Sequence, residues 1–218
     1  MRKICFTILL SCMIFVQGMA QIITQTKQGV SVKFDATEVL IDYYSPEQVR
    51  VVKTPIGQAF NKESLPVVKK PESVKVAVER KGDRLELSGG KLKVTLDLKS
   101  EALTFFDGSG KVLMAEKPGS VTFTEFDDAG NKTFSIKQGF ALEPDEAIYG
   151  LGILQNNKMS QRNQEVYMVQ NNTWDFVTFF QSIKGYGIFW DNYSPTVFKD
   201  DESETSFWSQ VGDGIDYY

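Results

Sequence analysis

The sequence predicts an all-β protein, an antiparallel β-sandwich, and three observations predict it. Apolar and polar residues alternate with period two, most clearly over Lys91-Leu92-Lys93-Val94-Thr95-Leu96-Asp97-Leu98. That spacing sends successive side chains to opposite faces of a sheet, one towards a core and one towards water. Turn chemistry separates such runs, as at Ser88-Gly89-Gly90, Asp107-Gly108-Ser109-Gly110 and Asp127-Asp128-Ala129-Gly130-Asn131. No stretch of ten residues or more carries the apolar stripe of an amphipathic helix.

In chain order, residues 1–20 read as a secretory leader. Met1-Arg2-Lys3 is a basic start, Ile4 to Val16 is mostly apolar, and Gly18-Met19-Ala20 places small residues before a cleavage point ahead of Gln21. The apolar run is shorter than the about 20 residues a bilayer-spanning helix needs, so no transmembrane segment is expected. Leu9-Leu10-Ser11-Cys12 loosely resembles a lipoprotein processing site, but Leu10 fits it poorly and export without lipidation is the better reading. The expected product is periplasmic or displayed at the cell surface, with residues 21–218 as its folded part.

Val30, Val32 and Phe34, then Val49 and Val51, mark a first group of strands. Residues 54–73, with Pro55, Pro66, Pro71, Gly57 and three lysines, read as a long connection to a second group. Val74, Val76 and Val78, then Leu85 and Leu87, then residues 91–98, begin an antiparallel meander expected to run to about residue 137. Composition shifts near residue 144. Beyond it aromatics are dense and carboxamides cluster: Gln155, Asn156, Asn157, Gln161, Asn163, Gln164, Gln170, Asn171 and Asn172. Aromatic faces beside neutral donors and acceptors suit sugars, although Phe and Trp in β-rich segments more often fill a core.

Composition excludes several chemistries. The 218 residues include no histidine, which removes Ser-His-Asp catalysis, imidazole proton transfer and His-containing metal sites. Both cysteines, Cys5 and Cys12, fall in the leader, leaving no thiol nucleophile or disulfide after it. A net charge of −4 with no basic block argues against nucleic acid as a partner. No acidic cluster has calcium spacing, and no cofactor is expected. Carboxylates, hydroxyls, amides and aromatic rings remain.

Three stretches carry a specific resemblance. Ala147-Ile148-Tyr149-Gly150-Leu151-Gly152 resembles the Y-G-L-G segment near the end of the N-terminal domain of glycoside hydrolase family 31. Gly185-Tyr186-Gly187-Ile188-Phe189-Trp190-Asp191-Asn192 is similar to that family's Y-G-[IVF]-F-x-[DN]-N strand, and Val211-Gly212-Asp213-Gly214-Ile215-Asp216-Tyr217-Tyr218 to its G-x-I-D-Y-Y segment leading towards the catalytic barrel. The leader and the loop from Gln170 to Thr173 look most like bacterial α-xylosidases. The resemblance implies that residues 21–218 form a β-sandwich of the galactose-mutarotase-like type, packed on a (β/α)8 barrel as its C-terminal partner. That barrel would carry two catalytic aspartates, about 5 Å apart in a retaining enzyme. Neither is expected within these residues, and Asp191, Asp213 and Asp216 are read as turn or interface residues. A sugar-epimerase reading fails because mutarotases of this type use histidine.

The resemblance further implies that a loop of this domain reaches the barrel mouth, which makes Asn171, Asn172 and Trp174 the candidate substrate-binding residues. Asn can bond sugar hydroxyls but supplies no negative charge to a transition state. Gly150 and Gly152 are expected to serve backbone geometry. The expected ligand is an α-linked oligosaccharide or xyloside, and this part alone should be inactive. The competing readings are a free-standing carbohydrate-binding module without catalysis and an interaction sandwich with no sugar role.

Overall fold

The computed structural model describes residues 21–218. The expected leader, with Cys5 and Cys12, lies outside the described residues. Among the described residues the regular structure is strand throughout, and every strand pairing is antiparallel.

The first layer begins with β1 (Ile22–Gln25), β2 (Gly29–Lys33), β3 (Thr37–Ser45) and β4 (Gln48–Pro55), paired in sequence order. The second layer contains β5 (Val76–Lys81), β6 (Arg84–Gly89), β7 (Leu92–Asp97), β8 (Leu103–Phe106) and β9 (Val112–Glu116), the meander the sequence predicts. It does not continue as simply as expected. β10 (Thr122–Asp128) pairs with β11 (Asn131–Ala141) along its first half, while β9 takes the same edge further on, at Phe140 and Ala141. One long strand thus serves two neighbours on one edge, and the sheet splays between them.

The chain then forms β12 (Ile148–Ile153), β13 (Glu165–Met168), β14 (Asp175–Ser182), β15 (Gly187–Phe189), β16 (Thr196–Asp200), β17 (Thr205–Gly212) and β18 (Ile215–Tyr217). β17, β16 and β13 extend the second layer beyond β11. β12, β14 and β15 make a small sheet of their own, and β18 joins it to the first layer. On one side β18 pairs with β4, Ile215 opposite Lys53 and Tyr217 opposite Val51. On the other, the backbone N–H groups of Phe189 and Tyr218 each donate to the other's carbonyl at 2.9 Å, and Trp190 bridges Tyr217.

The two layers meet over one apolar core, which the period-two pattern builds directly. In β3, Val39, Ile41 and Tyr43 are buried; in β6 and β7, Leu85, Leu87, Val94 and Leu96 face them. At the other end Trp190 is fully buried and stacks on Phe207 at 5.6 Å, while Phe207 stacks on Phe180 at 6.0 Å. The indole N–H of Trp190 donates to Ser209 Oγ at 2.8 Å, so the one polar atom of that ring is satisfied within the core.

Polar groups also cross the interior. Lys53 Nζ lies 2.7 Å from Glu116 Oε2, both side chains being almost wholly buried. Glu116 further accepts from Tyr217 Oη at 2.8 Å and from the Leu103 backbone at 2.7 Å. β4, β18 and β9 are thereby tied together across the two layers. Removing one partner of such a pair strands the other charge in the core, whereas replacing both by apolar groups costs little. Lys53→Met should therefore destabilise the domain by about 3–5 kcal/mol in denaturant unfolding, and adding Glu116→Gln, which removes the stranded charge but can still bond Tyr217 and the Leu103 N–H, should recover part of the loss. Equal stability of wild type and Lys53→Met would remove the pair from the fold's energetics.

Two buried phenols, Tyr43 and Tyr217, and the partly buried Tyr186 set an alkaline limit. Burial raises the pKa of Tyr43 and Tyr217 above the usual 10.0, with the Glu116 charge adding to the effect at Tyr217. Tyr186 is raised by burial and then by its hydrogen bond to Glu146. In the folded state each keeps its proton after the unfolded phenol has lost it. Their contribution is therefore complete below pH 10.0 and is lost as pH rises beyond it. Phenolate absorbance from these residues should grow only as the far-ultraviolet circular dichroism collapses; their titration in a fully native spectrum would contradict this burial.

Candidate functional site

The Y-G-L-G segment lies on β12, and its glycines answer to a steric demand. Gly150 and Gly152 have φ of 127° and 94°, with Leu151 between them also at positive φ, and the register against β14 slips at this point. A Cβ on Gly152 would sit 2.0 Å from the Asp175 carbonyl oxygen, and one on Gly150 2.6 Å from that of Phe179. The motif is a bulge that only glycine can make, as the sequence leads one to expect.

This bulge sits beside two loops. The loop of residues 154–164 is pinned at its base: Arg162 Nε donates to Asp200 Oδ2 at 2.9 Å and its Nη1 to the Glu143 carbonyl at 2.8 Å. The loop of residues 169–174 joins β13 to β14. Gln170 closes it by a reciprocal pair of bonds with the Phe176 backbone, at 2.8 and 3.0 Å. Gln155 Nε2 donates to the Thr173 carbonyl at 2.9 Å and ties the two loops together.

The candidate residues therefore differ in what they can offer. Asn171 is exposed, but its Oδ1 already accepts from the backbone N–H groups of Thr173 and Trp174, at 2.9 and 3.0 Å, and from the Thr173 hydroxyl. Its carboxamide shapes the turn. Asn172 is exposed at the loop tip. Trp174 is half-buried, its ring edge-on to Phe176 at 5.8 Å. Together Asn172 and Trp174 give the loop a carboxamide and an aromatic face; much of the surrounding carboxamide cluster serves the loops themselves.

The other two motifs meet in space. Trp190 and Tyr217 bridge each other and turn into the core, so Asp191 and Asp216, one residue away, turn to the opposite face. There both are buried carboxylates, so Asp191 does not play the turn role expected of it and Asp216 sits in a strand and not in a turn. Arg50 holds Asp216 in a bidentate pair, Nε and Nη2 each at 2.8 Å. Lys62 Nζ stands 2.9 Å from Asp191 Oδ1 and 3.2 Å from Asp216 Oδ2. Lys62 Nζ also donates to the Asp191 backbone carbonyl, whereas neither carboxylate oxygen of Asp191 accepts a hydrogen bond. Burial tends to lower the Arg50 pKa, but the Asp216 pairing outweighs it and the net shift is upward.

Asn192 takes the turn role instead, its Oδ1 accepting from the Ser194 backbone at 2.8 Å. Asp213 stays near the surface, accepting from Thr133. Arg50 and Lys62 are the residues that sequence reasoning missed. Lys62 lies in the Pro-rich connection, where a lysine reads as solvated. Among the described residues no group of acidic side chains is placed to hold a metal ion.

Residues 38–198 match the model of the glycosyl hydrolase 31 N-terminal galactose mutarotase-like domain. The chain belongs to that family.

As a family 31 N-terminal domain it has relatives with more than one specificity. It is 28% identical over 190 residues to an alpha-xylosidase of Saccharolobus solfataricus, which covers 83% of this chain and 25% of that protein. It is 26% identical over 213 residues to alpha-glucosidase 2 of Bacillus thermoamyloliquefaciens, covering 89% of this chain and 26% of that protein. The chain thus spans about a quarter of the length of these relatives. Among solved structures, the family 31 alpha-xylosidase of Xanthomonas citri superposes with a TM-score of 0.76 at 28% identity, over 82% of this chain and 20% of that one. One from a soil metagenome, solved with xylose, gives 0.80 over 89% of this chain and 31% of that one; at 21% identity it speaks for the fold alone.

If Asn171 acts through its loop, Asn171→Asp should keep the backbone bonds to residues 173 and 174 and Asn171→Ala should break them. Amide hydrogen exchange at Thr173 and Trp174 should then be unchanged in the first variant and faster in the second. Equal protection in both would show that the turn holds without this side chain.

Proposed function

We propose that this domain is the N-terminal sandwich of an exported retaining α-glycosidase, most closely an α-xylosidase. It supports a catalytic barrel and lends the loop of residues 169–174 to the sugar site. The observation that carries the reading is the pairing of family membership with that loop's chemistry: an exposed carboxamide at Asn172 and the half-buried ring of Trp174, on a turn braced by Gln155, Gln170 and Asn171. Sugar hydroxyls need neutral partners and sugar C–H faces pack on rings.

The xyloside preference follows the alpha-xylosidase names of the Saccharolobus and Xanthomonas relatives. Export follows the basic, apolar and small-residue pattern of residues 1–20. Hydrolysis itself belongs to two carboxylates on the barrel. Within the described residues the acids of the motifs, Asp191 and Asp216, are buried under cations and cannot reach a substrate.

The surface offered to the barrel is the outer face of the β14–β15 sheet. Val177 is 50% exposed and Phe179 37%, with Phe189 beside them and Tyr193 nearby. A contiguous apolar face of this kind is usually covered by a partner.

Two outcomes follow. In the full-length enzyme, Trp174→Ala should raise KM for an aryl α-xyloside roughly three- to tenfold, the loss expected for a stacking contact of about 1 kcal/mol. Unchanged kinetics would take the loop out of the site. Residues 21–218 alone should show no glycosidase activity and should self-associate in sedimentation. A monomeric, active fragment would overturn the reading.

A further inference from the structure

The geometry points to a second sugar-binding site in this domain, remote from the loop of residues 169–174: a cleft that binds a neutral monosaccharide or polyol where the second layer splays open. The cleft encloses about 510 Å³, within the range of small-ligand pockets. Its floor is the buried pair Lys53 and Glu116 together with Gln138, and Phe123 and Phe134 form one wall. It shares no lining residue with either loop of the candidate site.

Three observations define the ligand. First, the floor carries unused hydrogen-bonding capacity. Gln138 is fully buried and its Nε2 donates to Ser120 Oγ and to the Gly139 carbonyl, yet its Oε1 has no partner. An unmatched buried carbonyl is destabilising, and a hydroxyl donor would relieve it. Lys53 Nζ gives two of its three protons to Glu116 and to the Glu101 carbonyl, leaving one to donate.

Second, a charged pair forms the floor. Ion pairs this deeply buried are seldom more stable than apolar residues of the same volume, so their place at the base of an open cleft suits recognition. Lys53 and Glu116 balance each other, and Glu101 and Glu125 outweigh Lys117 on the walls. That balance disfavours an anion, while the Lys53 ammonium disfavours a cation.

Third, Phe123 and Phe134 stand edge to face at 6.1 Å, both half-buried, on the strand pair that opens the cleft. An aromatic wall above a floor of one acceptor and one donor matches a molecule with an apolar C–H face and a rim of hydroxyls. A pyranose has that shape. The proposal draws on the family assignment only for the choice of sugars as probes, and it is tested on this chain alone. It can therefore fail while the barrel reading stands, and the reverse.

The test is ligand-observed saturation-transfer NMR on the full chain with D-xylose and with D-glucose at tens of millimolar. Transfer to the C–H protons of at least one sugar is expected. Both variants are made in a Trp174→Ala background, so that the loop of residues 169–174 contributes no signal; there Phe123→Ala should cut the transferred signal at least about fivefold, and Gln138→Met should abolish it. Phe123 is half-exposed, so its variant decides the matter should Gln138→Met fail to fold. No transfer from either sugar would overturn the proposal. So would transfer that Phe123→Ala leaves intact, or that Trp174→Ala removes.

Discussion

One short strand holds this domain together. β18 pairs with β4 on one side and, through the reciprocal Phe189–Tyr218 bonds and the Trp190–Tyr217 bridge, with the β12–β14–β15 sheet on the other. Without it the first layer would be two sheets with open edges, each presenting unpaired backbone groups. Its three side chains complete the join. Ile215 and Tyr217 enter the core, where Tyr217 bonds Glu116 and packs edge-on against Phe140 at 5.5 Å. Asp216 faces the other way and collects Arg50 and Lys62.

The connection of residues 56–75 gains its purpose from this strand. Val52 and Thr54 are buried on the outer face of β4, although a two-layer sandwich would leave them wet. They are dry because the connection crosses that face, with Phe60 beside Gly214 and Lys62 inserted between Asp191 and Asp216. Lys62 also lies 4.8 Å from the Tyr193 ring, whose hydroxyl accepts from the Leu65 backbone. A cation over two buried carboxylates and an aromatic face locks an irregular segment that has little apolar burial of its own, Leu65 and Val68 being largely exposed.

Local pattern was readable wherever the physics is local. Alternation at 91–98 foretold β7 and its buried Val94 and Leu96, and Gly150 and Gly152 were legible as backbone necessities because only a missing Cβ fits their geometry. What stayed hidden was pairing between distant residues. Lys53 falls on the inward phase of Val49-Val51-Lys53, yet a lysine there reads as the end of a strand until Glu116 is seen opposite it. Asp191 reads as a turn residue until Lys62, over a hundred residues earlier, is placed above it. In the loop, Asn171 and Asn172 read alike in the sequence, and only the hydrogen bonds separate Asn171, spent on its own turn, from Asn172. The fold is shared by relatives named for xylosides and for glucosides, so the sandwich by itself does not set specificity.

The most direct test of the β18 account is native-state hydrogen exchange, comparing amides of β4 with those of β14 in the wild type and in Tyr217→Phe, which loses only the bond to Glu116. If β18 makes one cooperative layer, both strands open with the same free energy, and the variant lowers that energy equally in both. Separate opening energies in the wild type, or a loss confined to one strand in the variant, would mean that the two sheets fold independently and that β18 merely lies between them.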